Sequence, residues 1–181
     1  MVQELNHEVL KVSPSVADDL WALESCDFST HVTRVAIPPF VPRVAPDTHI
    51  VPPYRKPHHF DRRSVTRHLA GDDATVFTAF AGQRAIGLIA VEKWRDGLCW
   101  IADLAIDRSY RRCGAARILM IAAVEWAQSK KLNGIMVSTD TDNLSACEFY
   151  ASFGFVFCGG NSPHGNETDI ALFWRLMFDG C

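Results

Sequence analysis

Apolar and polar residues along the chain alternate in some stretches and cluster at helical spacing in others. Strands are predicted at 1–12, 75–81, 85–94, 98–106, 134–139, 155–158 and 170–177. Helices are predicted at 16–26, 60–69, 115–128 and 145–153. Tight turns join three consecutive strands into an antiparallel meander, whereas a crossing helix makes the next strand parallel to its predecessor. The pattern predicts a mixed α/β fold: a mostly antiparallel sheet of about seven strands with one parallel pair, flanked by helices.

Composition narrows the classes of protein. The chain has 181 residues, 48% apolar and 22% charged, which fits a single domain spanning 1–181. A net charge of −3 gives no basic field for nucleic acid, and no apolar run is long enough to cross a membrane. The first residues do not resemble a targeting signal, so free thiols in a reducing cytoplasm are the simplest expectation.

Metal ligands are not expected. No two of the six cysteines stand at CxxC spacing, and no Cys/His array is present. The pair His58-His59 lies in a proline-rich stretch and is interpreted as part of a solvated loop.

The segment from Arg111 to Ala116 (RRCGAA) lies between a predicted strand and a predicted helix. A helix N-terminus offers unpaired N–H groups and partial positive charge, which suit an anion. The small residues at 114–116 would let a phosphate approach those groups, and Arg111 and Arg112 add positive charge. The segment is neither a P-loop nor a dinucleotide fingerprint. An ordinary helix start with exposed arginines remains the alternative.

Two motifs carry a resemblance to a known family. Arg111-x-x-Gly114-x-Ala116 resembles the R/Q-x-x-G-x-G/A turn of the GNAT N-acetyltransferases. The segment from Asn143 to Phe155 (NLSACEFYASFGF) is similar to that family's N-x-x-A-x-x-x-Y-x-x-x-G-F segment. The resemblance implies a GNAT fold with a splayed parallel pair, and acetyl-CoA as cofactor. The implied cofactor-binding residues are Leu104, Ala105, Ile106, Arg111, Arg112, Cys113, Gly114, Ala115, Ala116, Asn143 and Ala146.

Within that family the chain looks most like the streptothricin acetyltransferases, over roughly 48–178. The likeness includes PYRK at 53–56, Trp94, NLSAC at 143–147 and Asn166-Glu167. It implies a small cationic amine as acceptor. Two departures stand out: the subfamily usually has Glu-Asp where this chain has Ala102-Asp103, and the stretch 161–165 lacks the usual aromatic residue.

Tyr150 is the predicted catalytic acid, because a phenol with a pKa of about 10 can give its proton to a departing thiolate. The alternative is a tyrosine that only packs. Alternation puts Ala102 and Asp103 on opposite faces, so Asp103 can serve as the base only if a bulge intervenes. Release of the amine proton to solvent, without a base, is also open. The candidate substrate-binding residues are Tyr54, Glu92, Trp94, Asp140 and Glu167. Of these, Glu92, Asp140 and Glu167 are also candidate bases.

Other functions stay open at this point. The acceptor could be an aminoglycoside-like amine, a polyamine or a protein N-terminus. A domain that binds acetyl-CoA without turnover is a third reading, because Ala102 replaces the usual acid. The sequence leaves open whether the protein forms a homodimer.

Overall fold

The computed structural model describes residues 10–32, 54–58, 60–161 and 170–178. The strands are β1 Leu10–Pro14, β2 Thr30–Val32, β3 Tyr54–Lys56, β4 Ala74–Ala81, β5 Arg84–Lys93, β6 Leu98–Ile106, β7 Gly134–Asp140, β8 Val156–Asn161 and β9 Ala171–Met177. The α-helices are α1 Ala17–Ala22, α2 Arg62–Thr66, α3 Ala115–Ser129 and α4 Leu144–Phe153. The predicted elements are confirmed among the described residues; residues 1–9 of the first predicted strand lie outside them, and α1 and α2 are each followed by a 3-10 turn.

Seven strands form one sheet in the order β1-β4-β5-β6-β7-β9-β8, and β2 pairs with β3 separately. All neighbours in the large sheet are antiparallel except β6 and β7. The 15-residue helix α3 makes the crossover between those two strands, as a parallel connection requires. The mixed α/β sheet with one parallel pair is therefore confirmed.

The parallel pair is joined over only a short length. Leu98, Cys99 and Trp100 pair with Gly134, Ile135 and Met136, and no later pair follows between these strands. Both strands continue, β6 to Ile106 and β7 to Asp140, so they diverge and leave an opening in the sheet. The predicted splay is present.

Strand β6 also carries a β-bulge. Asp103 pairs with Ala90, and Ile101 pairs with Val91, so Ala102 is the extra residue. A bulge shifts the alternation of side chains by one position. From Asp103 onwards, each side chain of β6 therefore lies on the face opposite to the one that strict alternation predicts.

Helices cover both faces of the sheet. α3 and α4 pack on one face around Leu119, Met120 and Ile135, and we call this side the helix α3 face. Leu20 and Leu23 in and after α1, with Val65 of α2, pack on the other around Leu88 and Ala90, which we call the α1 face. None of the described helices is long and apolar enough to cross a bilayer.

Candidate active site

The turn before α3 presents a row of free backbone donors. The N–H groups of residues 112–116 make no hydrogen bond to any described part of the chain. Gly114 is the residue before the helix, and its φ of +94° is in the range that favours glycine. A Cβ built there would meet no atom within 4 Å. Within the protein, glycine is therefore favoured by the backbone conformation and not by a lack of space for a side chain. The turn opens outward, and its free donors suit a diphosphate.

The Arg111 side chain does not point to those donors. Its Nε donates to the carbonyl of Ile106 at 3.2 Å, and its Nη2 donates to the carbonyl of Phe28 at 2.9 Å. Burial lowers the pKa of Arg111, while the charges of Asp27 and Asp107 oppose that effect. Arg111 thus fixes the end of β6 to the segment after α1, and Arg112 is the exposed arginine of the turn.

The free edge of β6 faces the opening. Asp107 donates its N–H to Ile86 of β5, and Ala105 lies opposite Leu88 in the same register. Because antiparallel partners alternate, Leu104 and Ile106 turn their N–H and C=O groups the other way, towards the opening. Ala105 turns its own groups to β5. Among the predicted residues of β6, the backbone of Leu104 and the N–H of Ile106 can therefore pair with a peptide-like pantetheine arm, whereas the Ile106 carbonyl already accepts from Arg111 Nε.

The second motif builds the helix that carries Tyr150. Asn143 caps α4, because its Oδ1 accepts a hydrogen bond from the N–H of Ala146 at 3.2 Å. Gly154 ends the helix at a φ of +109°, which glycine adopts without strain. The spacing from asparagine to glycine is thus the length of one capped helix. Asn143 and Ala146 have this structural role whatever else they contact.

Tyr150 lies at the inner side of α4. It is 5% exposed, and its ring packs against Phe155 and Trp174 at centroid distances of 5.5 and 6.4 Å. Burial raises the pKa of the phenol well above its ordinary value, and the negative charge of Asp103 raises it further. The hydroxyl therefore keeps its proton over the working range of an enzyme. Among the described residues, two buried side-chain polar atoms lack a hydrogen-bond partner, His68 Nε2 and Trp174 Nε1. The Tyr150 hydroxyl is not one of them.

The bulge brings Asp103 into a cleft. Ala102 and Asp103 both line a cavity of about 240 Å³ on the α1 face, together with Ala90. Strict alternation would have turned Asp103 to the helix α3 face. The cleft is completed by His58, Asp61, Ser64, Val65 and His68. The bulge on which the prediction for Asp103 depended is present.

A short strap of residues 54–58 crosses the chain near the splayed strands. Lys56 Nζ lies 2.7 Å from Asp140 Oδ2 and 3.2 Å from Asp142 Oδ2. Burial acts to lower the pKa of Lys56, but hydrogen bonds and charge from Asp140 and Asp142 outweigh it and raise the pKa. At the end of the strap, His58 Nε2 lies 3.1 Å from Asp103 Oδ1. The strap therefore contacts the Asp140 end of β7 and the Asp103 position of β6.

His58 is the residue that the sequence interpretation missed. It is not merely part of a solvated loop, since it pairs with Asp103 and lines the cleft. The pKa of His58 is raised, chiefly by the hydrogen bond to Asp103, against the opposite effect of burial.

The other predicted substrate contacts fall in different places. Glu92 Oε2 lies 3.3 Å from His68 Nε2 on the cleft wall, close enough for a charge interaction but not aligned for a hydrogen bond. Trp94 stacks on Trp100 with centroids 5.1 Å apart. The backbone of Tyr54 pairs with Val32, while its side chain lies outside the described residues, as does Glu167.

Metal and thiol chemistry find little support among the described residues. They contain no cluster of three or more His, Cys, Asp or Glu side chains placed to hold a metal ion. The five described cysteines are free thiols. Burial raises the pKa of Cys147, the thiol nearest Tyr150 on α4, to about 11. That thiol is therefore not a nucleophile near neutral pH.

Comparison with known proteins agrees with this site. Residues 43–155 match the model of the Acetyltransferase (GNAT) family. The chain is 31% identical to streptothricin acetyltransferase A of Bacillus subtilis over 70% of its own length and 75% of that protein. It is 33% identical to the streptothricin acetyltransferase of Escherichia coli over 70% and 74%. A crystal structure of a candidate streptothricin acetyltransferase from Bacillus anthracis, in complex with acetyl coenzyme A, superposes with a TM-score of 0.81 at 25% identity, covering 94% and 99% of the two chains.

The family match covers more than half of the chain and includes both motifs, the bulged strand and the strap. The expected cofactor, acetyl-CoA, and the expected reaction class are confirmed with it. The protein belongs to the GNAT family and is an acetyl-CoA-dependent N-acetyltransferase.

Proposed function

We propose that this N-acetyltransferase modifies an amine of a small cationic antibiotic of the streptothricin type. The observation that carries the proposal is the cleft beside the opening in the sheet. Asp61 and Asp103 line it, and Glu92 contacts its wall through His68. A polycationic acceptor gains charge-assisted contacts in such a place. The two curated relatives, both named for streptothricin acetylation, support the same acceptor.

The groups proposed to bind the cofactor and those proposed to bind the acceptor lie on opposite faces of the sheet. On the helix α3 face, the free N–H groups of residues 112–116 suit the cofactor diphosphate, and the Leu104 backbone and the Ile106 N–H suit its pantetheine arm. The cofactor supplies the acetyl group as a thioester. Tyr150 holds a proton on the same face, and Asp103 faces the cleft on the other. The opening between β6 and β7 is where an amine from the cleft can reach the thioester.

Tyr150 acts as the acid in this scheme. Its phenol stays protonated because burial and the Asp103 charge raise its pKa, so a proton is in place when the thiolate departs. Backbone N–H groups on the free edge of β6 are the donors available to the thioester oxygen as it gains charge. One such donor is typically worth about 2.7–4 kcal/mol.

Acetyl transfer is tested by incubating the protein with acetyl-CoA and streptothricin, and following thiol release together with the mass of the antibiotic. We expect thiol release that depends on the antibiotic, and a product heavier by one acetyl group. Tyr150→Phe is the matched control, since it removes only the hydroxyl.

The same assay separates the other functions. Thiol release with an aminoglycoside, a polyamine or a peptide N-terminus, but not with streptothricin, would show that the acceptor is wrong and the enzyme class right. Tight coenzyme A binding in calorimetry with no turnover on any amine would indicate a binding module instead.

A further inference from the structure

His58 and Asp103 form a polar pair that faces the cleft. His58 Nε2 and Asp103 Oδ1 are 3.1 Å apart. The Phe28 ring meets the imidazole edge-on, with centroids 6.3 Å apart. Both residues of the pair line the cavity of about 240 Å³. The imidazole is therefore oriented by one ring nitrogen, and Nδ1 is the nitrogen left for another partner.

Asp103 is the member of the pair that belongs to the sheet. The bulge at Ala102 turns Asp103 to the cleft, and its side chain is only 16% exposed. Its negative charge also acts on the phenol of Tyr150. The carboxylate that pairs with His58 is therefore also within electrostatic reach of Tyr150.

We propose that His58 is the general base that takes a proton from the acceptor ammonium, and that Asp103 is the positioning residue that holds its imidazole. This rests on the proposed function, since it needs an amine acceptor in the cleft. Ala102, the neighbouring strand residue in the cleft, has no ionisable group. A histidine from the strap supplies the base, and the strand supplies only its carboxylate partner.

The protons balance as follows for a primary ammonium. One N–H proton passes to His58 Nδ1 while Nε2–H stays bonded to Asp103, and that proton leaves later to solvent. The neutral amine then forms its C–N bond as the thioester C–S bond breaks. A second proton reaches the departing sulfur by way of Tyr150, and the third stays on the amide.

The charges around His58 suit a base that works near neutral pH. Asp103 raises its pKa, Arg111 lowers it, and Asp61 and His68 face it across the cleft. An unperturbed histidine titrates at about pH 6.5, and a general base is most effective when its pKa lies near the working pH. Because the base must be unprotonated, the rate should rise with pH through the His58 titration.

The test compares wild-type protein with His58→Gln, Asp103→Asn and a control, His31→Gln. His31 is an exposed histidine on β2 that contacts Arg108 outside the cleft. Three quantities are measured on each: the pH profile of kcat/KM, coenzyme A affinity by calorimetry, and the titration of the histidine ring protons by NMR. The last two need no acceptor.

We expect His58→Gln to lower kcat/KM about 10²- to 10⁴-fold and to abolish the acid limb of the profile. Coenzyme A affinity and folding should be unchanged, since the His58 side chain is 41% exposed. Asp103→Asn should lower the His58 pKa seen by NMR and move the acid limb to lower pH with it. His31→Gln should keep the wild-type profile.

Two results would overturn these roles: an acid limb that persists in His58→Gln, or a His58 pKa that does not change in Asp103→Asn. If wild-type protein accepts another amine and not streptothricin, the proposed acceptor fails, and the profile with the accepted amine still decides the role of His58. Absence of turnover by wild-type protein on every amine would overturn both proposals.

Discussion

Gly114 offers a test in which cofactor binding and stability can be separated. Its φ is +94°, and a Cβ there meets no described atom within 4 Å. Alanine at this position therefore costs backbone strain alone, about 1–2 kcal/mol. The new methyl group projects into open space on the same turn that carries the free N–H groups of residues 112–116. It should obstruct a diphosphate that binds there.

Gly154 provides the matched control. It has a φ of +109°, and its nearest neighbour for a new Cβ is Leu176 Cδ1 at 3.8 Å, an ordinary contact. Gly154→Ala should therefore cost the same 1–2 kcal/mol of backbone strain without adding a methyl group to the phosphate turn. For a domain of this size each variant should lower Tm by about 2–8 °C.

Cofactor affinity should then distinguish the two variants. A hydrogen bond to a charged group is worth about 1.5–3 kcal/mol, so losing one weakens binding roughly 10- to 100-fold. We expect this loss of coenzyme A affinity for Gly114→Ala, and none for Gly154→Ala, in calorimetry below the Tm of both. Equal affinity in the two variants would falsify the placement of the diphosphate on the turn before α3.

Other substitutions test separate parts of the site. Tyr150→Phe should lower kcat on the order of 10²-fold with little change in coenzyme A affinity, and wild-type kcat should show no alkaline loss near pH 10; unchanged turnover would remove Tyr150 from the mechanism. Asn143→Ala should lower the free energy of unfolding in urea by about 1 kcal/mol because the α4 cap is lost, whereas Asn143→Ser should retain most of that stability. Pairing with Asp103 raises the pKa of His58, so its contribution to stability is fully present below about pH 6.5 and lost as pH rises through the folded pKa. Asp103→Asn should flatten that pH dependence of the unfolding free energy, and an identical profile would contradict the pair.

The position of Asp103 shows what alternation can and cannot predict. In β6, alternation from Ile101 would turn Asp103 into the core beneath α3, where an unpaired carboxylate is costly. A bulge was only a condition for the Asp103 prediction, and the bulge at Ala102 removes this conflict. The sequence alone could not show that the bulge occurs at Ala102, because the choice depends on how β6 pairs with β5.

The His58 contact had no local signal. It joins residues 45 apart in sequence and follows a proline-rich stretch without periodicity. The side-chain contacts of Arg111 were unpredictable for a different reason. An arginine in a phosphate-type turn suggests a phosphate contact, yet the carbonyl of Ile106 at the end of β6 needs a donor, and Arg111 provides it. The strands and helices were predictable because their apolar patterns are local.

The strap also explains why the acidic residues near the opening are not equivalent. Asp140 faces Lys56, whose raised pKa keeps it positively charged, so part of the Asp140 charge is already offset by a neighbouring cation that Asp142 shares. Asp103 faces His58, which is neutral once it has lost its proton, so the charge of Asp103 then remains available to an incoming cation. A cationic acceptor is therefore attracted most strongly when His58 is ready to act as a base. Recognition of the ammonium and removal of its proton are thus linked at the Asp103 carboxylate. Because of this linkage, the site can select amines although β6 carries no second acid there.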